Sequence, residues 1–335
     1  MDKKLIKYIL YLIGVIIVGF IIINTDWKKV YIHIRSISLK SIILLLLFQY
    51  ITILLLTLQW KSMALNVKEG VSFLDILMVN VKGNIVDAIT PGVKAGGELA
   101  RIYELRKRLN IDLGNATIIV GLQKTISILS FLFLTLLSLI WFNFTMAMDR
   151  QYLYIFLIVI ALFSIFLGLL LLFSLRPYGL IKVLYKILGK SRFIEKIENT
   201  IKEYSNIIKK LWSEKKRLLN QMLLAIFIWS FYAFKLMLLV REFHVSMDYM
   251  SIAAITFLSY VIGMLPLLPG SIGSFESAMV ALLSIRGVSM EMGISIAFIF
   301  RFVTFWFEFI ISCFILLLDI LFARKGEKNV GIKIQ

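Results

Sequence analysis

A proline, three glycines and a carboxylate fall together in Pro91-Gly92-Val93-Lys94-Ala95-Gly96-Gly97-Glu98, between two apolar runs. A second copy of this pattern reads Pro269-Gly270-Ser271-Ile272-Gly273-Ser274-Phe275-Glu276. The proline and the glutamate are seven positions apart in both copies, and an arginine stands seventeen positions after each proline. Proline removes a helical hydrogen bond and glycine weakens a helix. The matched spacing therefore predicts two paired helix breaks, the first break at residues 90–98 and the second break at 266–276.

The composition predicts an integral membrane protein. Hydrophobic residues make up 60% of the 335 residues, whereas ordinary globular chains are close to half apolar. Several runs approach or exceed the roughly 20 apolar residues that span a bilayer. These runs are 5–23, 39–58, 113–141, 152–175, 218–240 and 293–322. We therefore expect an all-α, polytopic helix bundle in the cell membrane.

The net charge of +17 indicates a negatively charged partner. On a soluble protein such a charge would suggest nucleic acid, but here the basic residues cluster beside helix ends and no nucleic-acid motif is present. Anionic lipid headgroups are the expected counter-charge. The single cysteine, Cys313, and the two histidines, His33 and His244, lack companions at metal-ligand spacing, so we predict no metal and no cofactor.

The expected organisation is one membrane domain over residues 1–335. It consists of a first half (1–175), a basic segment (176–217), a second half (218–323) and a basic tail (324–335). The basic segment holds twelve Lys and Arg against four Glu. An apolar series within it recurs every three or four positions, which favours an amphipathic helix on the membrane surface or packed on the bundle. The series is Ile194, Ile197, Ile201, Tyr204, Ile208 and Leu211.

Two topologies are compared with the distribution of charge. Positive residues mark the cytoplasmic side, so re-entrant hairpins at both breaks would put the amino terminus inside and make the breaks face the bilayer from opposite sides. That arrangement is the inverted repeat of many secondary transporters. The basic loop 24–40 would then lie outside, against the charge rule. A full crossing at 73–90 removes that conflict and puts the amino terminus outside.

Charged residues within apolar segments are candidates for function, because an unpaired charge in a bilayer costs several kcal/mol. Glu98 lies three positions before Arg101, within reach of a helical pair, and Glu276 has Arg301 or Lys235 as a potential partner. The helix amino ends at the breaks favour an anionic group such as a lipid phosphate. Candidates for substrate binding are Glu98, Arg101, Arg108, Glu276, Arg301, Gly97 and Gly273. Candidates for pairing or for lining a cavity are Lys82, Asn84, Asp87, Gln123, Lys124, Lys235 and Glu308.

A structural interpretation competes with the functional one. Glu98 and Arg101 would serve equally well as a pair that holds the first hairpin together. Lys82, Asp87 and Lys235 fit internal ion pairs, or long side chains that reach the interface.

Three groups of residues carry a resemblance to a known family. They are Thr90-Pro91-Gly92 with Gly97-Glu98-Leu99-Ala100-Arg101, the run Leu265-Pro266-Leu267-Leu268-Pro269-Gly270-Ser271-Ile272-Gly273-Ser274-Phe275-Glu276, and Arg301 in the last span. At these positions the chain resembles the flippase-like membrane family that includes the transmembrane region of lysylphosphatidylglycerol synthase, also called the multiple peptide resistance factor. The resemblance covers nearly the whole chain. It implies a protein that moves lipids or lipid-linked molecules between leaflets, with functional polar positions at Glu98, Arg101, Glu276 and Arg301.

This chain departs from the family pattern at two points. Where the family often has a Glu-Arg pair and a following Asp, the chain has Gln123, Lys124 and Ser127. The synthases also carry a large soluble aminoacyl-transfer domain after the membrane part, whereas the sequence here stops at Gln335, so we do not expect lysine transfer.

We therefore expect a translocator, not an enzyme, for an anionic phospholipid or a polyprenyl-phosphate-linked molecule. The alternatives are a lipid-modifying membrane enzyme and a non-transporting scaffold that recruits a synthase partner through the basic segment. An enzyme would need a nucleophile with a base or a cluster of metal ligands, and the sequence offers neither. The oligomeric state is left open.

Overall fold

The computed structural model describes residues 25–90, 95–145, 213–264 and 269–331, with scattered helical positions among 19–23 and 158–207. All regular elements within these ranges are helical. The α-helices are α1 (Trp27–Ser36), α2 (Leu39–Ala64), α3 (Phe73–Ile89), α4 (Ala95–Leu109), α5 (Leu113–Thr145), α6 (Lys215–Glu242), α7 (Tyr249–Gly263), α8 (Ser274–Ile285), α9 (Met290–Arg301) and α10 (Phe307–Gly331). A 3₁₀ turn at Pro269–Ser271 precedes α8, and a π turn at Phe302–Trp306 joins α9 to α10.

Four helical stretches in the described part are long and apolar enough to cross a bilayer. They are Leu39–Ala64, Leu113–Phe142, Lys215–Glu242 and Met290–Leu321. The predicted all-α, multi-pass membrane bundle is thereby confirmed. Most of the predicted spans 5–23 and 152–175 and most of the basic segment lie outside the described residues.

Three of the four helices that flank the breaks are short, whereas α3 has 17 residues. Helices α4, α7 and α8 have 15, 15 and 12 residues, fewer than the roughly 17–25 residues of a membrane span. Helices of this length suit segments that enter a bilayer part-way. The re-entrant arrangement and the inverted repeat stay predictions.

The chain divides into two compact units, of which unit 1 carries both breaks. Unit 1 consists of Met1–Thr57, Ser72–Leu109 and Ser259–Gln335. Within it α3 packs against α4 and α10, α8 packs against α9, and α1 packs on α9. The α1 contact includes a ring stack between Trp27 and Phe298, with centroids 6.1 Å apart.

Unit 2 consists of Leu58–Val71 and Asn110–Leu258. Its described core is the packing of α5 on α6. The Trp229 indole lies 4.6 Å from the Phe131 ring, centroid to centroid, and donates to the carbonyl and the hydroxyl of Ser127 at 3.2 Å each. An aromatic ring with a satisfied N–H thus joins the two helices.

Two local features differ from the sequence-based expectation. The predicted loop 24–40 contains helix α1, because Asp26 accepts the amide N–H groups of Lys28 and Lys29 at 3.1 and 3.3 Å and caps the helix. The last span is interrupted by the π turn, whose longer hydrogen-bonded ring shifts the helical register.

Candidate functional site

The first break forms where α3 ends at Ile89. Thr90 has an extended backbone, with φ −98° and ψ 137°, as expected for a residue that precedes a proline. Its hydroxyl donates to the Val86 carbonyl at 2.7 Å and so satisfies an acceptor at the helix end. Helix α4 then begins at Ala95, within the predicted break at 90–98.

Asp87 joins the two helices across the first break. One carboxylate oxygen accepts the Gly97 amide N–H at 3.0 Å, and the other accepts from the Arg101 guanidinium at 3.0 Å. A Cβ on Gly97 would overlap the Asp87 carboxylate, so only glycine permits this approach. The carboxylate thus satisfies a backbone donor in the first turn of α4 and neutralises a buried arginine.

Arg101 lies against the backbone of α3. Its side chain is buried, with 7% of the residue exposed. A Cβ on Gly83 would come within 2.5 Å of the guanidinium Nε, so the absence of a side chain there makes room for the arginine. The other end of the guanidinium donates to the Asn84 side-chain carbonyl at 2.6 Å. Gly83, Asn84 and Asp87, all on α3, therefore fix its position.

The second break depends on left-handed backbone. Gly270 has φ +63° and Gly273 has φ +83°, conformations that glycine adopts without a steric cost. A Cβ on Gly270 would also come within 2.7 Å of the Phe305 ring. The tight turn at Pro269–Ser271 and the start of α8 therefore depend on glycines, as the sequence pattern predicts.

Glu276 has at the second break the position that Asp87 has at the first. One of its carboxylate oxygens accepts the Gly273 amide N–H at 2.7 Å, the reciprocal half of a helix cap. The other is 3.2 Å from Nε of Arg301. Arg301 also donates to the Gly270 carbonyl, so one guanidinium binds both the turn and its capping carboxylate.

Aromatic rings surround the Arg301 guanidinium. It lies 4.1 Å from the Phe305 ring centroid and 4.9 Å from that of Phe275, which are distances typical of cation–π contacts. Phe305 belongs to the π turn, and π turns occur frequently at functional sites. The π turn therefore carries a ring that adds a cation–π contact to the ion pair between Arg301 and Glu276.

The two breaks are neighbours within unit 1. Helix α3 packs against the 3₁₀ turn, and a Cβ on Gly270 would be 3.5 Å from the Ala88 carbonyl, one residue after Asp87. Glu308 extends the polar cluster. It accepts from Asn84 at 2.7 Å and from Gln49 at 3.3 Å. The described polar groups of both breaks thus lie in one region of one unit.

Of the sequence-predicted residues, Glu98, Arg101, Gly97, Asn84 and Asp87 meet at the first break, and Glu276, Arg301 and Gly273 meet at the second. The expected Glu98–Arg101 pair is present but long, at 3.6 Å. Asp87 is the nearer carboxylate. Arg108 pairs with Asp319 at 2.6 Å instead, and Lys82 pairs with Glu104 at 2.7 Å. The Arg108–Asp319 and Lys82–Glu104 pairs form a second cluster, further along α4 than Arg101.

The remaining predicted residues lie in unit 2. Gln123 donates to the Gln59 side chain at 3.1 Å, and Lys124 follows it on α5. Lys235 is fully buried, with its ammonium 4.1 Å from the Tyr232 ring centroid. Of the two partners considered for Glu276, Arg301 is the one in contact.

Sequence reasoning missed several contributors. Glu104, Asp319 and Gln49 were not singled out, and Asp87 was given no part at the helix end, because it contacts Gly97 across a break where no helical period applies. Phe305 did carry a signal: it follows Arg301 by four positions, a spacing that brings helical side chains together.

The arrangement brings two buried guanidinium groups, two helix amino ends and two carboxylates to adjacent breaks. Guanidinium and backbone N–H groups bind phosphate or carboxylate oxygens through charge-assisted hydrogen bonds. Among the described residues no cluster of three or more His, Cys, Asp or Glu side chains could hold a metal ion. The donor groups at the two breaks are therefore of the kind that bind anions.

Three known membrane proteins are similar to this chain over most of its length. The chain is 23% identical over 314 residues to a UPF0104 membrane protein of Methanothermobacter thermautotrophicus, covering 89% of this chain and 91% of that protein. It is 22% identical over 317 residues to a UPF0104 membrane protein of Pyrococcus horikoshii, covering 90% and 93%. A UPF0104 membrane protein of Methanocaldococcus jannaschii is 25% identical over 307 residues, with 87% and 88% covered.

The family model described as the lysylphosphatidylglycerol synthase TM region matches residues 8–312, which include both breaks. The chain therefore belongs to the family of the lysylphosphatidylglycerol synthase TM region.

Proposed function

We propose that this protein moves an anionic lipid, or a lipid-linked molecule with an anionic headgroup, between the leaflets of the cell membrane. The observation that carries the proposal is the pair of buried arginines, Arg101 and Arg301, at two neighbouring helix breaks in one unit. Each guanidinium is held beside a helix amino end, where a phosphate group is also favoured.

The energetic reason concerns the headgroup. A phosphate that crosses the hydrocarbon core must exchange its water for other donors, since charge in a bilayer costs several kcal/mol. Guanidinium groups and backbone N–H groups replace that water with directed hydrogen bonds. The acyl or isoprenoid tails stay among the lipids, so the protein needs to accommodate only the headgroup.

In this proposal the protein transports the lipid and makes or breaks no covalent bond. Anion-binding donors at two breaks fit a group that is bound and released, whereas lipid chemistry would need a nucleophile with a base. The family description names a synthase, and a synthase that supplies the lipid is the partner we propose. Lipid that is chemically altered after incubation with the purified protein would replace this proposal with an enzymatic one.

The test is leaflet exchange in proteoliposomes. Purified protein is reconstituted with fluorescent phosphatidylglycerol, and dithionite added outside reports the fraction of label that becomes accessible. The parent protein should expose inner-leaflet label faster than protein-free vesicles do. Arg101→Gln and Arg301→Gln should each slow that exchange at least about tenfold, the effect of about 1.4 kcal/mol on a barrier.

Arg106→Gln is the matched control. Arg106 lies on α4, as Arg101 does, but its side chain is exposed. Loss of the charge at Arg106 should leave the rate of leaflet exchange within about twofold of the parent's, a small change in the barrier. Exchange by the parent at the rate of empty vesicles, for phosphatidylglycerol and for polyprenyl-phosphate lipids alike, would contradict the proposal.

A further inference from the structure

The two breaks share one arrangement built from different parts of the sequence. At the first, Asp87 of α3 bonds the Gly97 N–H at 3.0 Å and Arg101 at 3.0 Å. At the second, Glu276 of α8 bonds the Gly273 N–H at 2.7 Å and lies 3.2 Å from Arg301. The counterpart of Glu276 is thus Asp87. It is not Glu98, although Glu98 has the matching position in the sequence pattern.

Each carboxylate is bound to the groups that a headgroup phosphate would use. A phosphate oxygen and a carboxylate oxygen seek the same donors, guanidinium and backbone N–H. A phosphate that docks on Arg101 or Arg301 would therefore have to displace the carboxylate from at least one of them. Asp87 and Glu276 therefore occupy the positions that the headgroup phosphate would take.

Burial explains why such acids would be needed. Arg101 and Arg301 are each only 7% exposed, and a buried charge left without its partner is strongly destabilising. A carrier that must return without substrate therefore needs an internal anion for each arginine. A permanent, optimal pair would in turn exclude the substrate.

We propose that Asp87 and Glu276 are internal competitors of the anionic headgroup for Arg101 and Arg301. This inference rests on the proposed function and adds how the site binds and releases its ligand. The two acids neutralise the arginines when no lipid is bound, yield to the phosphate on loading, and expel it on return. They are positioning residues that set the affinity of the arginines.

The test replaces each carboxylate by the amide of the same shape. In Asp87→Asn and Glu276→Gln the side-chain oxygen can still accept the backbone N–H, but the competing charge is lost. The dissociation constant for dihexanoyl phosphatidylglycerol, measured by calorimetry on detergent-solubilised protein, should fall about tenfold, which corresponds to about 1.4 kcal/mol. Leaflet exchange should slow, because release of the lipid becomes rate-limiting. A residue with only a structural role would weaken binding and exchange together.

Two controls separate competition from net charge. Asp75→Asn removes one negative charge from α3, twelve positions before Asp87, or about 18 Å along the helix. Glu291→Gln removes one from the first turn of α9. Both should leave the dissociation constant as in the parent. Dihexanoylglycerol, which lacks the phosphate, should bind parent and variants equally.

A further arm uses inorganic phosphate in place of the lipid. Tighter binding of inorganic phosphate by the two variants would assign the competition to the phosphate group alone. Tighter binding of the lipid only would assign it to a phosphate held in place by its tails. Either result supports the competitor role.

Unchanged or weaker lipid binding in both variants would overturn the inference. An equal fall of the dissociation constant in the two control variants would also overturn it. The two variants test the two breaks separately. If one variant does not fold, the other still tests the inference. The outcome is distinguishable from failure of the proposed function. A parent that exchanges no lipid while its variants bind more tightly would refute translocation alone, and an active parent without tightening would refute the competitors alone.

Discussion

Gly97 is the position at which a single methyl group should report on the geometry of the first break. A Cβ there would overlap the Asp87 carboxylate, so Gly97→Ala must turn that carboxylate away. The turn breaks the Gly97 amide bond and lengthens the contact with Arg101. A hydrogen bond to a charged group contributes about 1.5–3 kcal/mol, so we expect a loss of at least that size from the free energy of unfolding.

The matched control is Gly293→Ala in α9. Both glycines are helical, so alanine contributes the same favourable helix propensity, up to about 1 kcal/mol, in each variant. At Gly293 the nearest atom to a new Cβ is a Val280 methyl at 3.5 Å, an ordinary contact. The difference between the two variants therefore isolates the cost at the break, and it should reach about 1.5–3 kcal/mol.

The assay is thermal or denaturant-induced unfolding of both variants in the same detergent. We expect Gly293→Ala to be as stable as the parent or more stable, and Gly97→Ala to be less stable. Gly83→Ala, whose Cβ would come within 2.5 Å of the Arg101 guanidinium, should follow Gly97→Ala. If Gly97→Ala were as stable as Gly293→Ala, the carboxylate of Asp87 would not be fixed at the start of α4, and the account of the first break would be wrong.

Three further predictions concern other parts of the chain. Phe305 is only half-buried, so Phe305→Ala should lower the free energy of unfolding by less than the about 3–5 kcal/mol of a fully buried ring, and Phe305→Leu, which restores volume without a π face, should recover only part of that loss in the same melt. Trp229→Phe removes the indole donor to Ser127 and should cost about 1 kcal/mol, measured in the same way, and an unchanged melt would contradict that hydrogen bond. The Asp112 carboxylate, just before α5, accepts the Asn115 backbone N–H at 3.1 Å, and this hydrogen bond holds the pKa of Asp112 below its usual value of 3.8. The bond is therefore present above that usual value and is lost as pH falls through the lowered pKa, so the protection factor of the Asn115 amide against hydrogen exchange should fall at low pH in the parent and stay unchanged in Asp112→Asn.

The sequence is informative about the second break because its key contacts are local. The capping contact between Glu276 and the Gly273 amide spans three residues, within one helical turn. The two left-handed glycines also follow from their residue type. Arg301 was already a candidate partner for Glu276, because a buried carboxylate needs a cation.

The first break was less predictable because its main contact is not local. Asp87 reaches Gly97 across ten positions and the Pro-Gly segment between the two helices, so no helical period connects them. The matched offset pointed to Glu98, which lies in the position equivalent to Glu276 in sequence but contacts Arg101 only at 3.6 Å. Repeat spacing located the break, whereas tertiary packing decided which acid bonds the arginine.

The π turn was hidden from the sequence. A run of apolar residues fits an unbroken helix as well as one with an extra residue in a turn, since hydropathy does not record register. Within the turn Phe305 lies on the Arg301 guanidinium, and after the turn Glu308 bonds Asn84 of α3. Side-chain partners beyond the turn therefore required coordinates.

A structure of the protein in nanodiscs saturated with phosphatidylglycerol tests the central claim most directly, because it locates the headgroup phosphate. We predict that phosphate within hydrogen-bonding reach of Arg101 or Arg301, with Asp87 or Glu276 moved off the occupied arginine. A lipid phosphate bound elsewhere, with both arginines still on their carboxylates, would contradict the claim that the two breaks form the lipid-binding site.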